Sequence, residues 1–193
     1  MSRPSRRILG IAPLFFLTAC ASPREHLYSL EDASPEVPTG VSDRATVVID
    51  RVSLPEMVDR PQLVVREGTY DIRISEQERW ATPLKESLPR LLAAQLTRRI
   101  ADRRFVPAAS AAINAPSARL FIDISTLDMA RTTGVRVTAH WVYRPVSRDM
   151  VPVEGDTAAH TEITMDGYPG YVDALRRAGI AIADDIAARL EAK

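Results

Sequence analysis

The sequence VRVTAHWVYR occupies residues 135–144, and its alternation decides the fold class. Apolar side chains at every second position predict a β-strand with one face turned toward a core. Residues 120–125, LFIDIS, alternate in the same way, and Thr132-Thr133-Gly134 is a turn signal between the two runs. The two runs predict an antiparallel hairpin whose buried face carries Leu120, Ile122, Ile124, Val135, Val137, Ala139, Trp141 and Tyr143.

Further strands are predicted on both sides of this hairpin. Upstream, residues 47–52, 63–66 and 70–75 are rich in β-branched residues, and Glu67-Gly68 is a turn signal between the last two. Residues 26–30 form a possible short strand, and residues 157–165 a weaker one after a loop at 145–155. The pattern predicts one mixed, largely antiparallel sheet of about six strands.

Two amphipathic helices complete the pattern. Residues 84–100 carry apolar side chains at spacings of three and four, and Thr82-Pro83 is a start signal. Pro89 interrupts this run, so either the main helix starts near Ser87 or the helix kinks at the proline. A second helix begins at about Pro169. This order of elements predicts an α/β domain, α+β-like, with helices packed on a single sheet.

The N-terminal residues 1–19 are typical of an export signal that is removed. Three arginines precede the ten-residue apolar stretch Ile8–Leu17, which is too short to span a bilayer because a span needs about 20 residues. Leu17-Thr18-Ala19-Cys20 resembles the bacterial lipobox, which predicts cleavage between Ala19 and Cys20. The resemblance implies a diacylglyceryl group on the Cys20 thiol and an acyl chain on the new amino terminus. The alternative is an ordinary signal peptide followed by a chance cysteine.

The residues after the signal divide into a linker and one domain. Residues 20–44 contain Pro23, Pro35, Pro38 and Gly40 and are predicted to be a lipidated tether and linker, and residues 45–193 to be the domain. From Cys20 onward the chain has 22 basic and 25 acidic residues and no basic stripe, which argues against a nucleic-acid partner. Ala21 stands where lipoproteins retained at the inner membrane usually have aspartate. The expected location is therefore the periplasmic face of the outer membrane.

The residue patterns predict no enzyme, no metal site and no cofactor other than the covalent lipid. The three histidines, His26, His140 and His160, lack the close spacing of zinc ligands. No nucleophile elbow, phosphate-binding loop or dinucleotide-binding motif is present. One alternative is a lipid-modifying enzyme, in which His140 and His160 approach each other from neighbouring strands.

Two stretches are unusual for simple scaffolding. Residues 54–62, LPEMVDRPQ, are either a rigid crossover in which Asp59 forms an Asx-type turn, or a loop that faces a partner. Residues 78–84, ERWATPL, place Trp80 before the first helix, where it either packs on that helix or anchors an interface. Packing is favoured for Trp80. The candidate partner-binding residues are Asp59, Arg60, Gln62 and Trp80.

These stretches resemble the ABC-transport auxiliary lipoproteins of the PqiC/YmbA type. The matching features are the lipobox at Cys20, the segment Tyr28-Ser29-Leu30, the run Leu54-Pro55 followed by 59–64 (DRPQLV), and Arg79-Trp80-Ala81 with Pro83-Leu84. Two positions depart from the family pattern. Met57-Val58 replace an aromatic-leucine pair, and Thr82 replaces an acidic residue.

The resemblance implies a role that the residue patterns alone do not. Such lipoproteins are non-catalytic subunits of intermembrane lipid transport systems, which move phospholipid or other apolar molecules between membranes. Their partners are an MCE-domain protein and an associated inner-membrane permease and ATPase, or a PqiA-like protein. The implied fold is similar to anticodon-binding or TolB N-terminal domains, and docking on a ring-shaped MCE assembly favours a homo-oligomer. The alternative function is a structural lipoprotein of another envelope assembly, for lipopolysaccharide export or secretion.

Overall fold

The computed structural model describes residues 24–31, 44–109 and 115–192. Cys20, the predicted cleavage site and most of the 20–44 linker lie outside these residues. Within them the chain forms eight strands and two helices: β1 (His26–Tyr28), β2 (Ala45–Ser53), β3 (Gln62–Arg66), β4 (Ile72–Trp80), α1 (Leu84–Arg99), β5 (Arg103–Pro107), β6 (Ala118–Ala130), β7 (Gly134–Pro145), β8 (Val153–Thr161) and α2 (Gly167–Glu191).

A single mixed sheet is built around β6. On one side, β7 and then β8 extend β6 as an antiparallel meander. On the other side, β2 runs parallel to residues 118–123, whereas β3 meets β6 only at its far end, where Arg66 lies opposite Ala130. Strand β5 continues the sheet beyond β2, and β4 and β1 continue it beyond β3. The mixed sheet is confirmed, but the prediction of about six strands is wrong because the described chain has eight.

The strands that the sequence missed are short or polar. Residues 103–107, RRFVP, form β5 by pairing in parallel with β2, although only Phe105 is buried. Strand β4 continues past Ser75 to Trp80 through the polar segment Glu76–Arg79 because β1 and β3 pair with it on either side. Strand β8 begins at Val153, within the predicted loop, and ends at Thr161. Hydrogen bonding to neighbouring strands therefore determines that these segments are β-strands, more than the pattern of their own side chains does.

Both helices pack on one face of the sheet and against each other. Helix α1 runs without a break from Leu84, so a separate start near Ser87 is excluded; Pro89 lies buried in its second turn. Helix α2 begins two residues before Pro169. The two helices approach closely at Gly179, where an added Cβ would lie 2.8 Å from Leu91 Cδ2. Among the described residues no helix is long and apolar enough to cross a membrane.

The other face of the sheet is open and polar. Arg119 Nη1 binds Asp50 Oδ1 at 2.5 Å, and Ser53 donates a hydrogen bond to Asp123 on the next strand. The Arg144 guanidinium lies 5.1 Å from the centre of the Phe121 ring. The main apolar core therefore lies in the layer between the sheet and the helices.

Candidate functional site

The crossover loop, residues 54–61, fills the gap between β2 and β3 beside the middle of β6. Its main chain forms one tight turn, because the amides of Val58 and Asp59 both donate to the Pro55 carbonyl oxygen, at 3.0 and 3.2 Å. Val58 is buried in the core, whereas Met57 is half exposed. The buried valine and the two prolines hold the loop in one shape.

Three of the candidate partner-binding residues lie on or beside this loop. Asp59 is exposed, and its carboxylate contacts Lys85 Nζ of α1 at 3.5 Å rather than capping its own backbone. Gln62 Nε2 donates to Glu76 Oε2 at 3.4 Å. Arg60 is partly exposed, and its Nε atom is buried without a hydrogen-bond partner. An acid, a base and an amide therefore lie close together in sequence at the end of the loop and the start of β3.

The fourth candidate lies in the core. Trp80 is the last residue of β4 and is 5% exposed. It therefore packs in the core, as the sequence favoured. Its amide donates to the Pro61 carbonyl oxygen at 2.7 Å. The main chain at the end of β4 therefore holds the end of the crossover loop, while the Trp80 side chain packs in the core.

A groove runs between the crossover loop and β6. Its volume is about 170 Å³, and an ion pair closes one end, where Arg66 Nε reaches both carboxylate oxygens of Asp128 at 2.9 and 3.1 Å. Pockets for small molecules usually measure about 300–1,000 Å³, so this groove suits a single side chain better than a lipid. The apolar lining comes from Pro55, Met57, Val58, Val64, Ile72, Leu127 and Met129.

A second polar cluster joins the short strand β1 to β4. The Tyr28 hydroxyl donates to Glu78 Oε2 at 2.5 Å, and His26 Nδ1 lies 3.0 Å from Glu78 Oε1. Burial and the hydrogen bond to Glu78 raise the pKa of Tyr28 to about 12. Burial raises the pKa of Glu78, but the bonds from Tyr28 and His26 outweigh it and leave that pKa below its ordinary value. Sequence patterns do not reveal this cluster, because His26 and Tyr28 lie 52 and 50 residues before Glu78.

The histidines do not form the site that the enzyme alternative requires. His140 Nδ1 pairs with Asp156 at 2.9 Å, whereas His160 bonds the Thr133 carbonyl oxygen. In the strand register His140 lies opposite Asp156 and His160 opposite Arg136. The cavity of about 480 Å³ beside His140 has no second histidine among its lining residues. No group of three potential metal ligands occurs within the described ranges.

Most of the chain matches a known family. Residues 28–187 match the ABC-type transport auxiliary lipoprotein component. The chain belongs to this family. A comparison with curated proteins gave no significant match.

Solved structures agree with this family fold. A crystal structure of an uncharacterized protein superposes with a TM-score of 0.70 at 16% identity, covering 87% of this chain and 99% of that one. Protein XCC0632 from Xanthomonas campestris superposes with a TM-score of 0.58 at 11% identity, covering 84% and 92%. At these identities the likeness shows the fold alone.

Three of the stretches that resemble the auxiliary lipoproteins lie within the described residues, and they meet in space. The Ala81 amide donates to the Tyr28 carbonyl oxygen at 2.8 Å, which joins residues 79–84 to residues 28–30. The bond from the Trp80 amide to the Pro61 carbonyl oxygen joins residues 79–84 to the crossover loop. These three stretches therefore form one compact region, in which β1, the crossover loop and the end of β4 hold one another.

Proposed function

We propose that this auxiliary lipoprotein is the outer-membrane, periplasm-facing and non-catalytic subunit of an MCE-type system that moves phospholipid between membranes. The observation that carries the proposal is the family match over residues 28–187, together with the meeting of its characteristic stretches around the crossover loop. A system of this kind needs a component fixed at the receiving or donating membrane. A small domain with a lipid anchor meets that need.

Cys20 supplies the anchor in this proposal. One acyl chain binds a membrane only marginally, at about 0.8 kcal/mol per buried CH₂, and two or more chains hold it stably. A diacylglyceryl thioether with an N-acyl chain such as palmitate would place three chains on one residue. Ala21 after the cysteine supports sorting to the outer membrane.

The crossover loop is the proposed contact with the MCE protein. Asp59 and Arg60 lie on it and Gln62 follows it directly, and the groove between the loop and β6 offers an apolar slot for one partner side chain. Charged groups at the rim set the orientation of a partner, and a filled apolar slot supplies affinity. The inner-membrane permease and ATPase, or a PqiA-like protein, would then associate through the MCE protein.

Co-purification from detergent-solubilised envelopes tests this proposal. The wild-type chain is expected to recover an MCE-domain protein, and Arg60→Ala to recover about tenfold less, as the loss of one central arginine contact predicts. The matched control is Arg148→Ala in the exposed loop between β7 and β8. Recovery of a β-barrel or secretin instead of an MCE protein would favour the alternative envelope assembly, and equal recovery by both variants would exclude the crossover loop.

A further inference from the structure

The direction of β1 fixes which end of the domain the lipidated cysteine can reach. Strand β1 runs parallel to β4, with His26 opposite Glu78 and Tyr28 opposite Trp80. The chain before His26 therefore heads toward the start of β4 at Ile72. The hairpin turn of residues 67–71 precedes Ile72, and the turn of residues 131–133 lies beside it, because the Arg131 amide donates to the Arg66 carbonyl oxygen at 3.0 Å. We call these two turns the turn end.

The segment from Cys20 to Arg24, called the tether from here on, is short, and its length limits how far Cys20 can lie from the domain. The described chain begins at Arg24, and Cys20 lies four residues before it, so their Cα atoms are at most about 14 Å apart. Continued from His26 and Glu78, the parallel register places Arg24 level with Glu76. From Glu76 to Ile72 the strand covers about 13 Å. Measured along β4, Cys20 therefore lies no farther out than about the start of that strand. The turn end extends at least as far in the same direction.

The turn end carries side chains suited to a lipid surface. Tyr70 is 96% exposed at the tip of the hairpin turn. Met165, which follows β8 at the same end, is half exposed, and Arg131 is exposed. Tyrosine is enriched at membrane–water interfaces because its ring is apolar and its hydroxyl is polar, and arginine pairs with phosphate.

We propose that the turn end rests on the bilayer that holds Cys20, with Tyr70 at the depth of the lipid headgroups. The inference rests on the lipidation proposed above, and it adds an orientation to it. The loop of residues 146–152 lies at the opposite end of the sheet and faces away from that membrane, because it follows the end of β7 next to the start of β6.

Fluorescence quenching by lipid tests the orientation. The lipidated full-length chain is reconstituted in phosphatidylcholine vesicles, with and without bromine atoms on the acyl chains near the headgroups. Tyr70→Trp is compared with Val151→Trp, whose position is 81% exposed at the opposite end. The native Trp80 and Trp141 are 5% and 0% exposed and give a constant background in both variants. Bromolipid is expected to reduce the emission of Tyr70→Trp and to leave that of Val151→Trp at the wild-type level.

Flotation of the same vesicles separates the two proposals. If the chain floats with the vesicles and both variants are quenched equally, or neither is, the orientation is wrong while the anchor stands. If the wild-type chain does not float, or if Cys20→Ala floats as well as the wild type, the lipid anchor fails and the orientation fails with it. Both substituted side chains are exposed, so neither variant is expected to disturb the fold.

Discussion

At the scale of single residues, the turn between β6 and β7 depends on the absence of a side chain at Gly134. The residue has a φ of +81°, and an added Cβ would lie 2.3 Å from the Thr161 carbonyl oxygen of β8. The sequence predicted a turn at 132–134, but it contained no information on Thr161, which reaches this position only through the meander. Gly134 therefore allows both the left-handed turn between β6 and β7 and the close approach of β8.

Gly134→Ala is expected to lower the free energy of unfolding. The left-handed backbone alone costs about 1–3 kcal/mol for a residue with a side chain, and the clash with Thr161 adds to this cost. Urea denaturation monitored by circular dichroism measures the change. Gly68→Ala is the control, because its added Cβ meets only Asp71 Cβ at 3.6 Å, and a change within about 0.5 kcal/mol is expected there. Equal stabilities of the two variants would contradict this account of the turn.

At the scale of elements, predictability follows the strength of the local pattern. The hairpin β6–β7 and the two helices have long apolar periodicities, and the sequence alone located them. Strand β5 and the second half of β4 have none, since Glu76, Gln77 and Arg79 are polar, and only their neighbours make them strands. For the same reason the sequence identified the crossover loop as unusual but could not place it beside β6. It did favour packing for Trp80, which is buried.

The attachment of β1 is expected to weaken in both acid and alkali. The pKa of Glu78 is lowered in the fold, so its contribution is complete above the ordinary value of 4.5 and is lost as the pH falls below it. The pKa of Tyr28 is raised to about 12, so its contribution is complete below pH 10.0 and is lost as the pH rises toward 12. The loss in acid and the loss in alkali are both measured by the amide hydrogen-exchange protection factors of residues 26–28 as a function of pH.

Glu78→Gln tests which group is responsible for the acid limit. The neutral amide does not titrate, so the loss of protection in acid is expected to disappear, at the cost of weaker protection at neutral pH. Glu76→Gln is the matched control, because Glu76 lies on the same strand and contacts Gln62 rather than β1. A loss of protection in acid that persists unchanged in Glu78→Gln would assign it to another group.

At the scale of the whole molecule, the domain has two unlike ends. One carries the exposed Tyr70 and the start of α2 and is the end toward which β1 points when it is traced back from Tyr28 to His26, and the other carries the loop of residues 146–152. Because the Tyr28–Glu78–His26 cluster holds β1 to β4, a pull on the chain before His26 would act on the whole sheet. A short tether on a clamped strand would orient the domain, whereas a long tether would only hold it near the membrane.

Lengthening the tether separates these two effects. Twelve inserted Gly/Ser residues after Ser22 add a flexible segment with a root-mean-square span of about 20 Å, which is longer than the present reach from Cys20 to Arg24. The lengthened chain is expected to float with vesicles as before, because the acyl chains are unchanged. Its Tyr70→Trp variant is expected to lose most of its quenching by bromolipid, because the turn end is no longer held at the surface. Undiminished quenching would mean that the turn end binds lipid by its own affinity, and that tether length does not orient the domain.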